Sequence, residues 1–204
     1  MIGTAIVNIL DMLDCGKDDI LKIICDEFEC PLNKDVEKFL KYKAIEFSKQ
    51  RIAATYLVFK QYKQNDVVVG YFSIAQKYFH VSYKERNRKI SSKLRAKINT
   101  FGHYEPKLQK YVVPAMLIGQ LGKNYANGYD ELISGDELLK IACEKVHEVQ
   151  RISSGRLTYL ECEDVERLKE FYIRNGFSPF AMRELEADEA DMKSEKLVQL
   201  MKIV

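Results

Sequence analysis

The chain has 204 residues, 47% of them hydrophobic and 30% charged, with a net charge of +2, the make-up of a soluble globular protein of one domain. No apolar run approaches the roughly 18 residues that cross a bilayer, and Met1–Leu13 lacks a basic start and is interrupted by Asp11, which argues against a secretory signal. The five cysteines (Cys15, Cys25, Cys30, Cys143, Cys162) are odd in number and show no CxxC spacing; this excludes a disulfide framework and a zinc site and points to reduced thiols in a cytoplasm.

Along the chain, Thr4–Leu10 is β-branched and reads as a strand. Lys17–Phe28 reads as a helix with Ile20, Ile23 and Ile24 on its apolar face, broken by Pro31. Asn33 is a candidate N-cap for a second helix to Gln50, with Val36, Phe39, Leu40, Ala44 and Phe47 along one stripe. Ala54–Lys60 and Val67–Phe79 read as a hairpin about the polar turn Gln61–Asp66. A basic stretch follows, helical over Ser91–Ile98, and then the buried strand Val112–Leu121, where Pro114 implies one incompletely paired side. The loop Gly122–Ile133 leads to a helix from Gly135 to Arg151. Leu157–Leu160 is a short strand, Asp164–Asn175 a helix closed by Gly176, and Phe177–Arg183 with Leu197–Val204 an antiparallel pair about an acidic turn.

Charge is distributed unevenly. Lys77–Lys110 holds ten basic residues against Glu85 and Glu105, a local balance of +8 in a chain whose total is +2. Tyr78, Phe79, Tyr83 and Tyr111 are interleaved with these cations. This pattern has two readings: a lysine-rich solvated insertion at about 80–110, or a surface that grips RNA phosphates through Arg86, Arg88, Lys89, Lys93 and Arg95.

The strand before Gly135 ends in Gly119-Gln-Leu-Gly122 and the next helix opens with Ser134-Gly135-Asp136-Glu137. Ser134 and Glu137 have capping-box spacing, and the helix start makes an anion site suited to a pyrophosphate. Gly135 permits close approach, whereas Asp136 favours the helix more than an anionic ligand. An ordinary capped helix explains the same residues.

This strand–loop–helix, the strand Thr158-Tyr-Leu-Glu-Cys-Glu163 and the helix end Phe171-Tyr172-x-x-Asn175-Gly176-Phe177 together resemble the GNAT N-acetyltransferases. Phe28-Glu-Cys30, Phe39-Leu40-Lys-Tyr-Lys-Ala44, Thr55-Tyr-Leu-Val-Phe59 and Gly70-Tyr-Phe72 are similar to a branch of bacterial toxins that acetylate the amino group of aminoacyl-tRNA. The resemblance spans about residues 28–204. It implies one α/β acyltransferase domain over residues 1–204, with a mixed, mostly antiparallel sheet and helices on both faces. It also implies acetyl-CoA as co-substrate and acyl transfer to a primary amine. The pantetheine arm then lies along Leu121, Gly122 and Lys123, and the pyrophosphate at Ser134, Gly135 and Asp136. Tyr172 protonates the leaving thiolate. The base is read from the residues: Glu161 and Glu163 stand at the C-terminal end of the strand, on one face with Tyr159, and of the two carboxylates Glu161 is the candidate carried forward. The family's phosphate loop, Q/R-x-x-G-x-G/A, is met here by Asp130–Gly135, which keeps only the last glycine. A fold that holds acyl-CoA as a regulator without turnover is the alternative. His80, His103 and His147 show no metal-ligand spacing, and no membrane partner is expected.

Overall fold

The computed structural model describes residues 3–82, 90–185 and 196–203. The element order is β1 (Ala5–Asn8), α1 (Ile9–Asp14), α2 (Asp18–Glu27), α3 (Lys34–Lys38), a π turn (Phe39–Lys43), α4 (Ala44–Lys49), β2 (Ala54–Tyr62) and β3 (Asn65–Ser82). Next come α5 (Ser92–Phe101), β4 (His103–Glu105), β5 (Lys110–Lys123), a 3-10 turn (Ala126–Leu132) and α6 (Gly135–Ser153). The chain continues through β6 (Leu157–Glu163), α7 (Glu166–Arg174) and β7 (Ser178–Glu184) to β8 (Lys196–Ile203). The strands are hydrogen-bonded in the order β1-β2-β3-β5-β6-β8-β7, with β4 on β5. This is the mixed α/β class expected, and the registered pairs are antiparallel except for β5 with β6.

Two compact units divide the chain: Met1–Ala75 with Ile118–Glu144, and Gln76–Leu117 with Lys145–Val204. The first has its own core, in which Leu21, Phe28, Leu40, Leu57 and Tyr71 are fully enclosed. Tyr71 meets Phe28 edge-on at 5.2 Å between ring centres and donates its hydroxyl to the Val36 carbonyl, so this deep phenol is not left unpaired. Glu37 accepts from the Cys30 amide at 2.8 Å and from Lys34 and Lys41. Burial alone raises its carboxyl, but those donors prevail and hold it at about 2. They tie the turn after α2 to the start of α3.

The second unit has a separate core of Phe79, Val81, Ile98, Val113, Leu157, Phe180 and Met201. Phe180 stands beside Phe79 at 4.6 Å, at the place where the β7–β8 register shifts by one residue. The extra residue at such a bulge turns a side chain that alternation would place elsewhere.

Local chemistry explains where the elements depart from expectation. The first strand stops at Asn8 because its side chain takes the Leu10 amide at 2.9 Å and starts α1. On α2 the buried stripe is Leu21 and Cys25, continued by Phe28, while Ile20 and Ile23 are exposed. That stripe follows the helical repeat better than the isoleucines, which lie beside it. Asn33 caps α3 as expected, accepting from Asp35 and Val36. The acidic turn at 186–195, together with Arg86, Arg88 and Lys89, lies outside the described residues.

Candidate functional site

In the first unit, β5 ends at Leu121, Gly122 and Lys123. Gly122 is buried, and a Cβ there would collide with Val36 Cγ1 of α3 and touch Phe28 and Tyr71 at 3.6 Å. Its carbonyl in turn lies 2.8 Å from where a Gly70 Cβ would stand. The glycine in this strand is therefore needed for the approach of the protein's own helix and neighbouring strand. Lys123 reaches back over the Tyr125 ring, 5.8 Å from its centre. Asn124, unremarked in the sequence, anchors the strand end: its Oδ1 accepts from the Glu29 and Ala126 amides, and its Nδ2 donates to the Val68 carbonyl. A buried amide with its groups paired in this way fixes the start of the following turn.

The 3-10 turn carries Asp130 and Glu131 and includes Asn127 and Gly128 at positive φ. At the start of α6, Ser134 Oγ accepts from the Glu137 amide at 3.0 Å, and the Ser134 carbonyl accepts from Leu138. The serine half of the capping box is present. The glutamate does something else: its Oε1 accepts from Lys60 Nζ at 2.7 Å, and the same ammonium donates to the Leu132 carbonyl at 2.9 Å. Lys60 thus sets a cation beside Glu137 at the mouth of the helix, where Asp136 and the helix dipole also act. No sequence signal marks Lys60, because it comes from β2, 77 residues from its partner.

In the second unit, Tyr172 lies in the last turn of α7. Phe177 N donates to Tyr172 O at 3.1 Å, Gly176 N donates to Ile173 O at 2.9 Å, and Gly176 has φ +87°. These two bonds and the left-handed glycine are a Schellman ending, whose usual apolar contact is here the Tyr172 and Phe177 rings, 6.1 Å apart. Lys202 completes the end by donating to the Asn175 carbonyl at 3.0 Å. The ring of Tyr172 also meets Phe171 at 4.9 Å. Burial, with Cys162 as a lesser contributor, pushes its phenol well above the ordinary tyrosine range, so it stays protonated. Among the described residues its hydroxyl makes no hydrogen bond.

Glu161 is on β6, where Arg183 of β7 donates to its Oε2 through Nε at 2.8 Å and through Nη2, and Gln199 of β8 donates to Oε1 at 2.7 Å. Both oxygens are engaged, and the contacts lock β6, β7 and β8 together. Cys162 is buried, its thiol pushed up to about 12 by burial and then by Asp164, which keeps it protonated at neutral pH.

On α5, Leu94 and Ile98 are buried, while Lys93 is exposed and Arg95 donates to Ser92. Tyr104 and Tyr111 lie 5.2 Å apart on the adjoining hairpin, and Tyr78 stands exposed beside His80. Among the described residues no helix is long and apolar enough to cross a membrane.

The sequence matches no protein-family model and no curated protein. The structure is similar to that of AtaT complexed with acetyl-methionyl-tRNA, with a TM-score of 0.59 at 18% identity, covering 97% of this chain and 94% of the other. A single-residue variant of KacT is similar at a TM-score of 0.58 and 18% identity, over 96% and 93% of the two chains. A third neighbour, a bacterial toxin, gives 0.62 at 13% identity, over 100% and 92%. The chain shares the GNAT fold of these structures over nearly its whole length.

Proposed function

We propose that the protein is an acetyl-CoA-dependent N-acetyltransferase whose acceptor is the amino group of an aminoacyl-tRNA. The observation that carries this reading is a fold shared over nearly the whole chain with AtaT, a protein solved with acetyl-methionyl-tRNA, in a chain that has Tyr172 at the matching motif. Another of the similar structures is AtaTR bound with acetyl-CoA, which supports the same coenzyme here. Ser134, Gly135 and Asp136 at the start of α6 fit a pyrophosphate through backbone amides, with the Lys60 ammonium offsetting Glu137. Leu121, Gly122 and Lys123 hold the pantetheine arm by their backbone. Acetyl-CoA, when bound, supplies an acyl group activated for attack by an amine.

The rest is the work of this chain. Tyr172 gives the proton of Oη to the departing sulfur, a role suited to a phenol that burial keeps protonated. Glu161 accepts the amine proton only by parting from Arg183 and Gln199; with those contacts kept, it serves to hold the sheet that carries the site. The basic, aromatic-lined segment that includes Lys93 and Arg95 grips the RNA.

The test is incubation with labelled acetyl-CoA, charged tRNA, deacylated tRNA and a panel of free amines. Label on the aminoacyl group of charged tRNA alone is the expected result. Label on a free amine but not on tRNA would keep the acetyltransferase and remove the tRNA acceptor. Absence of coenzyme binding by calorimetry would remove both.

A further inference from the structure

The stretch proposed to take the coenzyme phosphates brings no cation of its own. Asn124–Leu139 holds Asp130, Glu131, Asp136 and Glu137 and no lysine, arginine or histidine. Asp136 and Glu137 stand in the first turn of α6, where a carboxylate favours the helix but repels an anionic ligand. A pyrophosphate placed there needs a positive group from another part of the chain.

Lys60 of β2 is such a group, and it belongs to the same compact unit. Its Nζ donates to the Leu132 carbonyl at 2.9 Å, two residues before the capping Ser134, and to Glu137 Oε1 at 2.7 Å. The side chain of Lys60 is 16% exposed and that of Glu137 41%, so the ammonium is the inner member of the pair. An ammonium has three N–H bonds. Two are taken by these acceptors, and among the described residues none takes the third. Lysine is ordinarily a mobile point charge on a flexible stem. Here two bonds hold it beside the helix start and leave one donor unspent.

We propose that Lys60 is the cation of the coenzyme's pyrophosphate site, its third N–H donating to a phosphate oxygen while its charge cancels that of Glu137. The proposal rests on the coenzyme reading given above and makes it narrower: the phosphate half of acetyl-CoA is recognised by a side chain of β2 as well as by the amides of α6. A loop that carries four carboxylates and no base can then hold an anion, because the compensating charge arrives from a strand 77 residues away from Glu137.

The experiment is calorimetry on the full chain with two probes, acetyl-CoA and adenosine 3′-phosphate 5′-diphosphate, which is the coenzyme without its pantetheine thioester. Lys60→Met keeps the apolar stem and should weaken both about tenfold or more, the worth of a hydrogen bond between charged groups. It should also flatten the fall of affinity with salt. Lys60→Arg, which keeps the charge, should recover part of the loss. Lys60→Met combined with Glu137→Gln should bind more tightly than Lys60→Met alone, because that carboxylate is no longer left uncompensated. A lysine that only ties β2 to the turn predicts no such recovery. All titrations are run below the lowest melting temperature of the set, so that each variant is compared folded. Binding unchanged by Lys60→Met, or a double variant no tighter than the single one, overturns the inference and leaves the coenzyme reading standing. Absence of acetyl-CoA binding by the wild type overturns both.

Discussion

The start of α6 and the end of α7 are both helix termini that carry motif residues, and they use those residues in different ways. At Ser134–Asp136 the proposed role falls on the backbone: Ser134 takes the Glu137 amide, and the other amides that head the helix are the groups proposed to bind an anion. At Tyr172–Phe177 the backbone is already closed on itself, since the Schellman bonds consume the last carbonyls and the left-handed Gly176 permits them. What this end has to offer is a side chain. The Tyr172 ring closes the helix end against Phe177, and its hydroxyl is left for chemistry. Packing and the proposed proton transfer thus fall on different atoms of one residue, and a single-atom deletion separates them.

The largest expected effect follows from that separation. Tyr172→Phe keeps the packing on Phe177 and removes only the proton donor, so turnover should fall on the order of 10²-fold or more. Coenzyme affinity and melting temperature should hardly move. Because the wild-type phenol is raised above its ordinary value, the rate should show no downward limb at the usual tyrosine pKa, about 10. Unchanged turnover would reduce Tyr172 to its helix-closing role. Glu161→Gln provides the contrast in the same unit: with the charge gone, the pairing to Arg183 weakens. The melting temperature should fall in either case; a role only in holding β6–β8–β7 predicts preserved turnover, whereas a base predicts that turnover is lost as well.

Next in size is Gly122→Ala. Its added Cβ meets Val36 Cγ1 and the rings of Phe28 and Tyr71, so the cost is that of overpacking, about 1–3 kcal/mol in a chemical melt. Val36→Ala on the same background should restore part of it. If Gly122→Ala instead leaves stability intact and weakens acetyl-CoA binding, the space belongs to the ligand. Ser134→Ala is smaller: removal of one cap costs about 1 kcal/mol and should weaken coenzyme binding only a few-fold, because the other amides remain.

How legible these features were depends on how local they are. Asn33, Ser134 and Gly176 act on amides within three residues and were readable as caps. The glycine of β5 was visible, but its purpose was not, since Val36 is 86 positions away in sequence and only folding brings it there. Lys60 carries no local pattern, and Asn124, though it takes the Ala126 amide two residues on, is anchored by Glu29 and Val68 from distant parts of the chain. Glu161 stood out as a carboxylate at a strand end, yet Arg183 and Gln199, which occupy it, belong to two other strands. Helical spacing placed Ile20 and Ile23 on the wrong side of α2 because Leu21, Cys25 and Phe28 make a second apolar stripe beside theirs.

The last and smallest effect concerns α5, where the two readings of the basic segment divide. Leu94 and Ile98 bury one face of this helix, so Lys93 and Arg95 are held by a folded element. Replacing both by glutamine leaves that buried face intact, and the melting temperature should stay within the small range of surface changes. If they neutralise tRNA phosphates, each cation removed lowers the salt dependence of binding by roughly 0.7 to 0.9 log units per log unit of salt. Affinity for charged tRNA then falls most at low ionic strength, and the variant and wild type converge as salt rises. Acetyl-CoA binding, proposed to draw on α6, should be the same in both. A variant that binds charged tRNA with the wild-type slope returns these two cations to solvent. The extension to Arg86, Arg88 and Lys89 asks the same of the preceding segment, and a steeper fall there with none on α5 would move the RNA-binding surface off the helix.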